Sequence, residues 1–216
     1  MPDVAGESPV APTLWYFADP MCSWCWGFAP VIEAIRRDYA DRLRVALILG
    51  GLRPGVTEPL APTLRAEILH HWRDVHARTG QPFRFDGALP EGFVYDTEPA
   101  SRAVVAVAEL APEQTFAYFK AIQAAFYADG RNVTEVDPLR DLAIDSGVDA
   151  QAFQAAFGSD IIRRKTRSHF EVARQRGVRG FPTTILHLNP SVHWLASGYR
   201  PYAEIASDLD SYLKAR

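Results

Sequence analysis

One stretch constrains this chain more than any other: Asp19-Pro20-Met21-Cys22-Ser23-Trp24-Cys25-Trp26-Gly27-Phe28. It holds both cysteines of the 216-residue chain, spaced Cys-x-x-Cys. The run before it, Leu14-Trp15-Tyr16-Phe17-Ala18, is apolar and aromatic, stops at Asp19-Pro20 and reads as a buried strand. After it, Phe28, Val31, Ile32, Ile35 and Tyr39 recur at helical spacing, with Arg36, Arg37 and Asp38 on the other side. Pro30 falls inside this helix and predicts a kink, because it lacks an N–H and clashes with the preceding turn. Leu43 to Leu49 reads as a second strand, closed by Gly50-Gly51. Strand, helix and strand in this order predict a crossover unit with a parallel pair.

In that setting Cys22 falls at a helix N-terminus. Unpaired N–H groups and the helix dipole there favour a thiolate over a thiol. Cys25 lies one turn further in, on the same face. The expectation is an exposed, attacking Cys22 and a more buried Cys25 that resolves a mixed disulfide. Ser23 offers a hydroxyl and a backbone N–H directed at the sulfur. Trp24 offers an exposed flat surface to a substrate, while Trp26 and Phe28 are expected to pack. A zinc site is the alternative for a cysteine pair. Zinc wants four ligands, a second pair is absent, and His70, His71, His169, His187 and His193 show no zinc-motif spacing. No metal is expected, and thiol redox chemistry is the better reading.

A helical block follows. Leu64, Ile68, Leu69, Trp72 and Val75 mark a helix over Pro62 to Arg78, and Gly80 to Asp96 reads as a loop. Further helices are predicted over Ser101–Leu110, Glu113–Ala128, from an Asp137 N-cap to Gly147, from Asp149 to Gly158, and over Ser159–Arg176. The pattern then reverts to strands. The loop Gly177-Val178-Arg179-Gly180-Phe181-Pro182 leads into Thr183–Leu188. Ser191–Ala196 pairs with that strand through an Asn189-Pro190 turn, and a last helix covers Pro201–Leu213. Pro182, placed directly before a strand, could hold a cis bond, although taken alone an ordinary trans loop proline is the better reading, since most X–Pro bonds are trans. The cluster Arg163, Arg164, Lys165 and Arg167, continued by Arg174, Arg176 and Arg179, reads as a solvated helix face, with attraction for an anionic thiol as the functional alternative.

Composition narrows the classes of function. The chain is 48% hydrophobic, enough for a real core without staples. Its net charge of -3 argues against nucleic acid as a partner. No run approaches the roughly 18 apolar residues of a membrane span. Met1 to Thr13 lacks the basic-then-apolar pattern of a secretory signal, so a cytoplasmic location is expected. In a reducing compartment a transient, catalytic disulfide is more plausible than a structural one.

Two elements together carry a resemblance: Cys22-Ser23-Trp24-Cys25 early in the chain, and Gly-Val-x-Gly-Phe-Pro-Thr over residues 177–183. With the helical block between them, the chain resembles the DsbA-like branch of the thioredoxin superfamily. The run from Asp19 to Phe28 is similar to that of bacterial cytosolic protein-disulfide isomerases of the FrnE-like group. The resemblance implies an α/β thioredoxin fold with a large inserted all-helical domain. The expected parts are residues 12–56 for the strand–helix–strand unit, 57–167 for the insertion, and 168–216 for the proline loop, hairpin and last helix. It implies Cys22 as nucleophile, Cys25 as resolving thiol, and a cis Phe181-Pro182 peptide facing them, whose main chain binds substrate as an added strand would. The family's buried acid before the motif falls here at Tyr16. Proton transfer is therefore expected through Asp19 or Tyr16.

The implied activity is thiol–disulfide exchange or disulfide isomerisation on protein or peptide substrates. It needs no cofactor, and glutathione or a thioredoxin-type reductant would serve as co-substrate. Two alternatives stand beside it. One is a glutathione-dependent isomerase or transferase of the kappa-class or hydroxychromene-carboxylate type, which usually places serine where Cys22 stands. The other is a peptide-binding chaperone module that uses the apolar rim.

Overall fold

A computed structural model describes residues 11–214. The first ten residues of the stretch read for a missing signal lie outside the described part. Four strands form one sheet in the order β2-β1-β3-β4: β1 Thr13–Ala18, β2 Arg44–Leu49, β3 Thr183–His187 and β4 Val192–Ser197. β1 pairs parallel with β2 and antiparallel with β3, and β3 pairs antiparallel with β4. Parallel β1 and β2 need a crossover, and α1, Ser23–Asp38, supplies it. The mixed sheet and its helices match the α/β arrangement with an inserted helical block that the resemblance implies.

Period-2 alternation sorts β1 between two layers. Leu14, Tyr16 and Ala18 enter the main core with Phe28, Ile32 and Ile35 of α1. Phe17 points to the opposite face and joins Ala173, Val178 and Ile185 in a smaller cluster. The last helix, α8 Tyr202–Lys214, packs beside α1.

Between β2 and β3 lie α2 Pro62–Thr79, α3 Glu98–Leu110, α4 Thr115–Tyr127, α5 Val136–Asp145, α6 Ala150–Gly158 and α7 Asp160–Gln175. Asp149 and Ser159 cap α6 and α7, accepting from the N–H groups of Ala152 and Ile162. The helix expected to start at Asp137 starts at Val136, with Glu135 as an extended N-cap. Asp137 lies in its first turn, where a carboxylate meets the positive end of the helix dipole, and pairs with Arg140 at 2.7 Å. α3 begins three residues before Ser101, because Pro99 is tolerated in a first turn.

The helical block shares one core with the sheet: the rings of Tyr16 and Phe119 meet edge-on at 6.3 Å. α7 runs unbroken through position 167, starting against α3 and α6 and finishing against β2. No helix among the described residues is long and apolar enough to cross a membrane.

Pro30 sits inside α1, which continues through it to Asp38. Without an N–H at Pro30, the carbonyl of Trp26 loses its helical donor. The Gln81 side-chain amide replaces it, donating to that carbonyl at 2.8 Å, while the Trp26 indole N–H donates to the Pro82 carbonyl at 2.9 Å. The proline thus opens a docking point for the loop after α2 on the helix that carries Cys25. Gln81→Leu orphans the Trp26 carbonyl and should destabilise by about 1–3 kcal/mol. In a Pro30→Ala background, where the helical donor returns, the same substitution should cost less. Equal losses in both backgrounds, read by denaturant titration, contradict this account.

Candidate active site

The antiparallel register of β1 and β3 places Phe17 opposite Thr183. The chain leaving β1 and the chain entering β3 therefore meet at one end of the sheet. There the Cys22 thiol lies 3.5 Å from the Phe181 carbonyl and donates to it, across 159 residues of sequence. The Phe181-Pro182 peptide is cis. Cys22 is the N-cap of α1 in extended conformation, so the first amides of the helix lie beside its sulfur. The Trp26 N–H bonding to the Cys22 carbonyl at 3.0 Å begins the helix. Both cysteines are free thiols.

Cys22 is less open than the sequence leads one to expect. It is 6% exposed and lines the wall of a groove, whereas Cys25 is wholly buried. Trp24 is likewise half-buried, not exposed, since its ring tilts against Tyr199 at 6.0 Å. Trp26 and Phe28 are buried. Trp24 and Phe181 form a ridge between two openings. One, of about 470 Å³, holds Cys22, Ser23, Tyr95, Arg53, His71 and Gly180. The other, of about 650 Å³, is bounded by Tyr199, Arg78, Asp74 and Gly198.

Asp19 is fully buried below the motif. Its carboxylate accepts from the Met21 N–H at 2.9 Å and from the Leu52 N–H at 2.7 Å. Burial pushes its pKa up to about 6, against the pull of those two amides and of Thr97. The Cys25 thiol is pushed well above its ordinary value, first by burial, then by its hydrogen bond to Cys22 and the charge there. The Asp19 backbone pulls it the other way. The Tyr16 hydroxyl is also buried and makes no hydrogen bond of good geometry. Burial, then the neighbouring Cys25 and Cys22, hold its pKa far above the phenol range. Tyr16 therefore stays a neutral phenol beside the Cys25 sulfur. Of the two expected proton carriers, Asp19 is the one that ionises in the neutral range.

Several residues of the site escape sequence reasoning. Tyr95, in the stretch read as a loop, donates to the Met21 carbonyl at 2.6 Å and fixes the residue before Cys22. Leu52 and Thr97 hold Asp19, and His169 of α7 accepts from the Leu49 N–H at 3.2 Å. The basic cluster of α7 does not line the Cys22 groove: Arg164 and Arg167 are exposed and Lys165 pairs with Glu109. The cation in the groove is Arg53. One signal was present in the sequence, the pair Gly50-Gly51. A Cβ at Gly50 would lie 1.9 Å from the Phe181 ring, and one at Gly51 2.8 Å from Phe170.

A thioredoxin fold with a Cys-x-x-Cys pair at its first helix and a cis proline facing the sulfur defines a class of thiol–disulfide exchange proteins. Within that class, a family profile for the DSBA-like thioredoxin domain matches residues 13–210, and the chain belongs to that family. It is similar to the crystal structure of a candidate protein disulfide isomerase from Nitrosomonas europaea, at 46% identity and TM-score 0.89, covering 95% of this chain and 99% of that one. It is also similar to the cytosolic disulfide reductase DsbM from Pseudomonas aeruginosa, at 29% identity and TM-score 0.79, over 94% and 100% of the two chains. DsbM has also been solved with GSH, with a TM-score of 0.76 to this chain. Among curated proteins it is 22% identical over 176 residues to the ClpXP adapter protein SpxH of Halalkalibacterium halodurans, covering 80% of this chain. The chain spans 57% of that relative's length.

Gly50→Ala should force Phe181 off the loop, costing about 1–3 kcal/mol of stability by overpacking and slowing reaction of Cys22 with disulfides. Gly158→Ala, with open space at its Cβ, is the control. A Gly50→Ala protein with unchanged melting temperature and unchanged disulfide reactivity contradicts the close packing of these two loops.

Proposed function

We propose that this protein is a thiol–disulfide oxidoreductase working in the reducing or isomerising direction in the cytoplasm. Its substrates are disulfide-containing proteins or peptides, and glutathione or a thioredoxin-type reductant recycles it. The observation that carries this reading is the Cys22 sulfur at a helix N-terminus, 3.5 Å from the carbonyl preceding a cis proline. The neighbouring cytosolic disulfide reductase, solved also with GSH, supports the direction, the location and the small thiol.

In this reaction Cys22 attacks one sulfur of a substrate disulfide and the other leaves as a thiolate. A substrate strand lies along the Phe181 main chain, against Trp24. Cys25, once deprotonated, attacks the Cys22 sulfur, releasing reduced substrate and leaving a Cys22–Cys25 disulfide. Asp19, ionised above about pH 6, receives the Cys25 proton.

Cys22→Ser should abolish reduction of insulin or of a dithiol-reporter disulfide. Cys25→Ser should instead trap substrate as a stable mixed disulfide. Full activity in Cys22→Ser, or an untrapped Cys25→Ser, rules the mechanism out. Full turnover of Cys25→Ser with tight glutathione binding would favour the transferase alternative.

The role of Asp19 has its own pH signature. Resolution of the mixed disulfide should accelerate as pH rises through about 6, where the carboxyl ionises. Asp19→Asn should flatten that profile and slow resolution about 100-fold. An unchanged inflection in the variant assigns the proton to another group. Stability runs in the opposite sense. A carboxyl with a raised folded pKa stabilises fully below its ordinary value of 3.8, and that contribution is lost as pH rises through about 6.

A further inference from the structure

The groove beside Cys22 contains a charge that none of the steps above uses. Arg53 is half-buried, and its Nε is fully shielded without a hydrogen-bond partner. Its guanidinium lies 5.8 Å from the centre of the Tyr95 ring, and no carboxylate pairs with it among the described residues. A shielded guanidinium N–H left without an acceptor is costly unless an anionic group completes it.

Its backbone is pinned on both sides. The Arg53 N–H donates to the Thr97 hydroxyl at 3.1 Å, the Thr97 N–H donates back to the Arg53 carbonyl at 3.3 Å, and the Leu52 N–H is held by Asp19. The backbone that carries the cation is therefore fixed relative to the Cys22 loop before any ligand arrives, which lowers part of the ordering cost of binding. Among the described residues, the other basic side chain lining this groove is that of His71. At about 470 Å³ the groove falls within the roughly 300–1,000 Å³ of small-molecule sites. The larger opening beyond the Trp24–Phe181 ridge has both charges, Arg78 and Asp74.

Resting on the exchange reading above, we propose that the preferred substrate is a mixed disulfide between a polypeptide and a small acidic thiol, and that Arg53 anchors a carboxylate of the acidic half in the Cys22 groove. The polypeptide half lies beyond the ridge. The Cys22 thiolate attacks the sulfur of the acidic thiol. A Cys22–sulfur bond forms, the substrate S–S bond breaks, and the polypeptide leaves as a thiolate that takes a proton from solvent. The Cys25 thiolate, its proton passed to Asp19, then attacks the Cys22 sulfur and expels the acidic thiolate. Two electrons have moved from the enzyme dithiol to the mixed disulfide. Two further molecules of small thiol reduce Cys22–Cys25 and become a symmetrical disulfide.

The test compares one peptide carried either as its glutathione mixed disulfide or as its cysteamine mixed disulfide, which has no carboxylate on the small half. For the unmodified enzyme, kcat/KM should favour the glutathionyl peptide by about tenfold or more, the worth of one charge-assisted hydrogen bond. In Arg53→Met this preference should collapse through KM, and Arg53→Lys should restore part of it. Because both substrates meet the same protein sample, a folding defect lowers both rates and leaves the ratio intact. A preference retained in Arg53→Met, or absent from the unmodified enzyme, overturns the assignment while leaving the exchange reading standing. An unmodified enzyme that reduces neither peptide overturns both.

Discussion

The antiparallel pairing of β1 with β3 is the constraint on which the site depends. It joins two segments far apart in sequence and brings the Cys22 thiol to the Phe181 carbonyl. A register slip of one residue would turn Tyr16 and Leu14 out of the core and Phe17 into it. Both faces of β1 are buried, under α1 on one side and the end of α7 on the other, so such a slip carries a large penalty. The parallel partner β2 adds the third wall. The Gly50 N–H donates to the Ala18 carbonyl at 2.8 Å, and the bare backbone there leaves room for the Phe181 ring.

The ends of these three strands hold groups that a pure packing argument would not bury. Asp19 sits at zero exposure, satisfied by two backbone amides and raised in pKa by its surroundings. Tyr16 and Cys25 lie in the same apolar setting, both held in their neutral forms. Such an arrangement destabilises the fold at neutral pH relative to an all-apolar core. It places a carboxyl titrating at about pH 6 beside the thiol that loses its proton in the proposed mechanism. The helical block contributes from above: Tyr95 fixes Met21, Thr97 fixes Arg53, and Gln81 occupies the backbone gap left by Pro30. It is part of the site and not only a cover over it.

Much of this was legible in the residues. The alternation of Leu14, Tyr16 and Ala18, the helical spacing after Phe28, and the position of Cys22 between them locate the cysteine-bearing helix from local pattern alone. The cis proline and its meeting with Cys22 came from resemblance, because X–Pro geometry is not encoded locally. What could not be read were contacts set by tertiary placement. Leu52, Thr97 and Tyr95 look like ordinary loop residues until the fold brings them to Asp19 and Met21. Charge clustering drew attention to α7, whereas the cation beside the sulfur is the isolated Arg53. Local charge density reports solvation, and burial at a site depends on the fold. Cys22 and Trp24 are less open than their local sequence implies for the same reason, since Tyr199 and Phe181 arrive from the far end of the chain.

The central claim is that Cys22 and Cys25 form a single two-electron couple. It is tested most directly by equilibrating the protein in glutathione buffers of stepped thiol-to-disulfide ratio and weighing the acid-quenched species by mass spectrometry. One transition is expected, between the dithiol and a species lighter by two hydrogens, the intramolecular disulfide, with any glutathione adduct only transient. Two thiols that gain glutathione independently, with no intramolecular disulfide at any ratio, would contradict it.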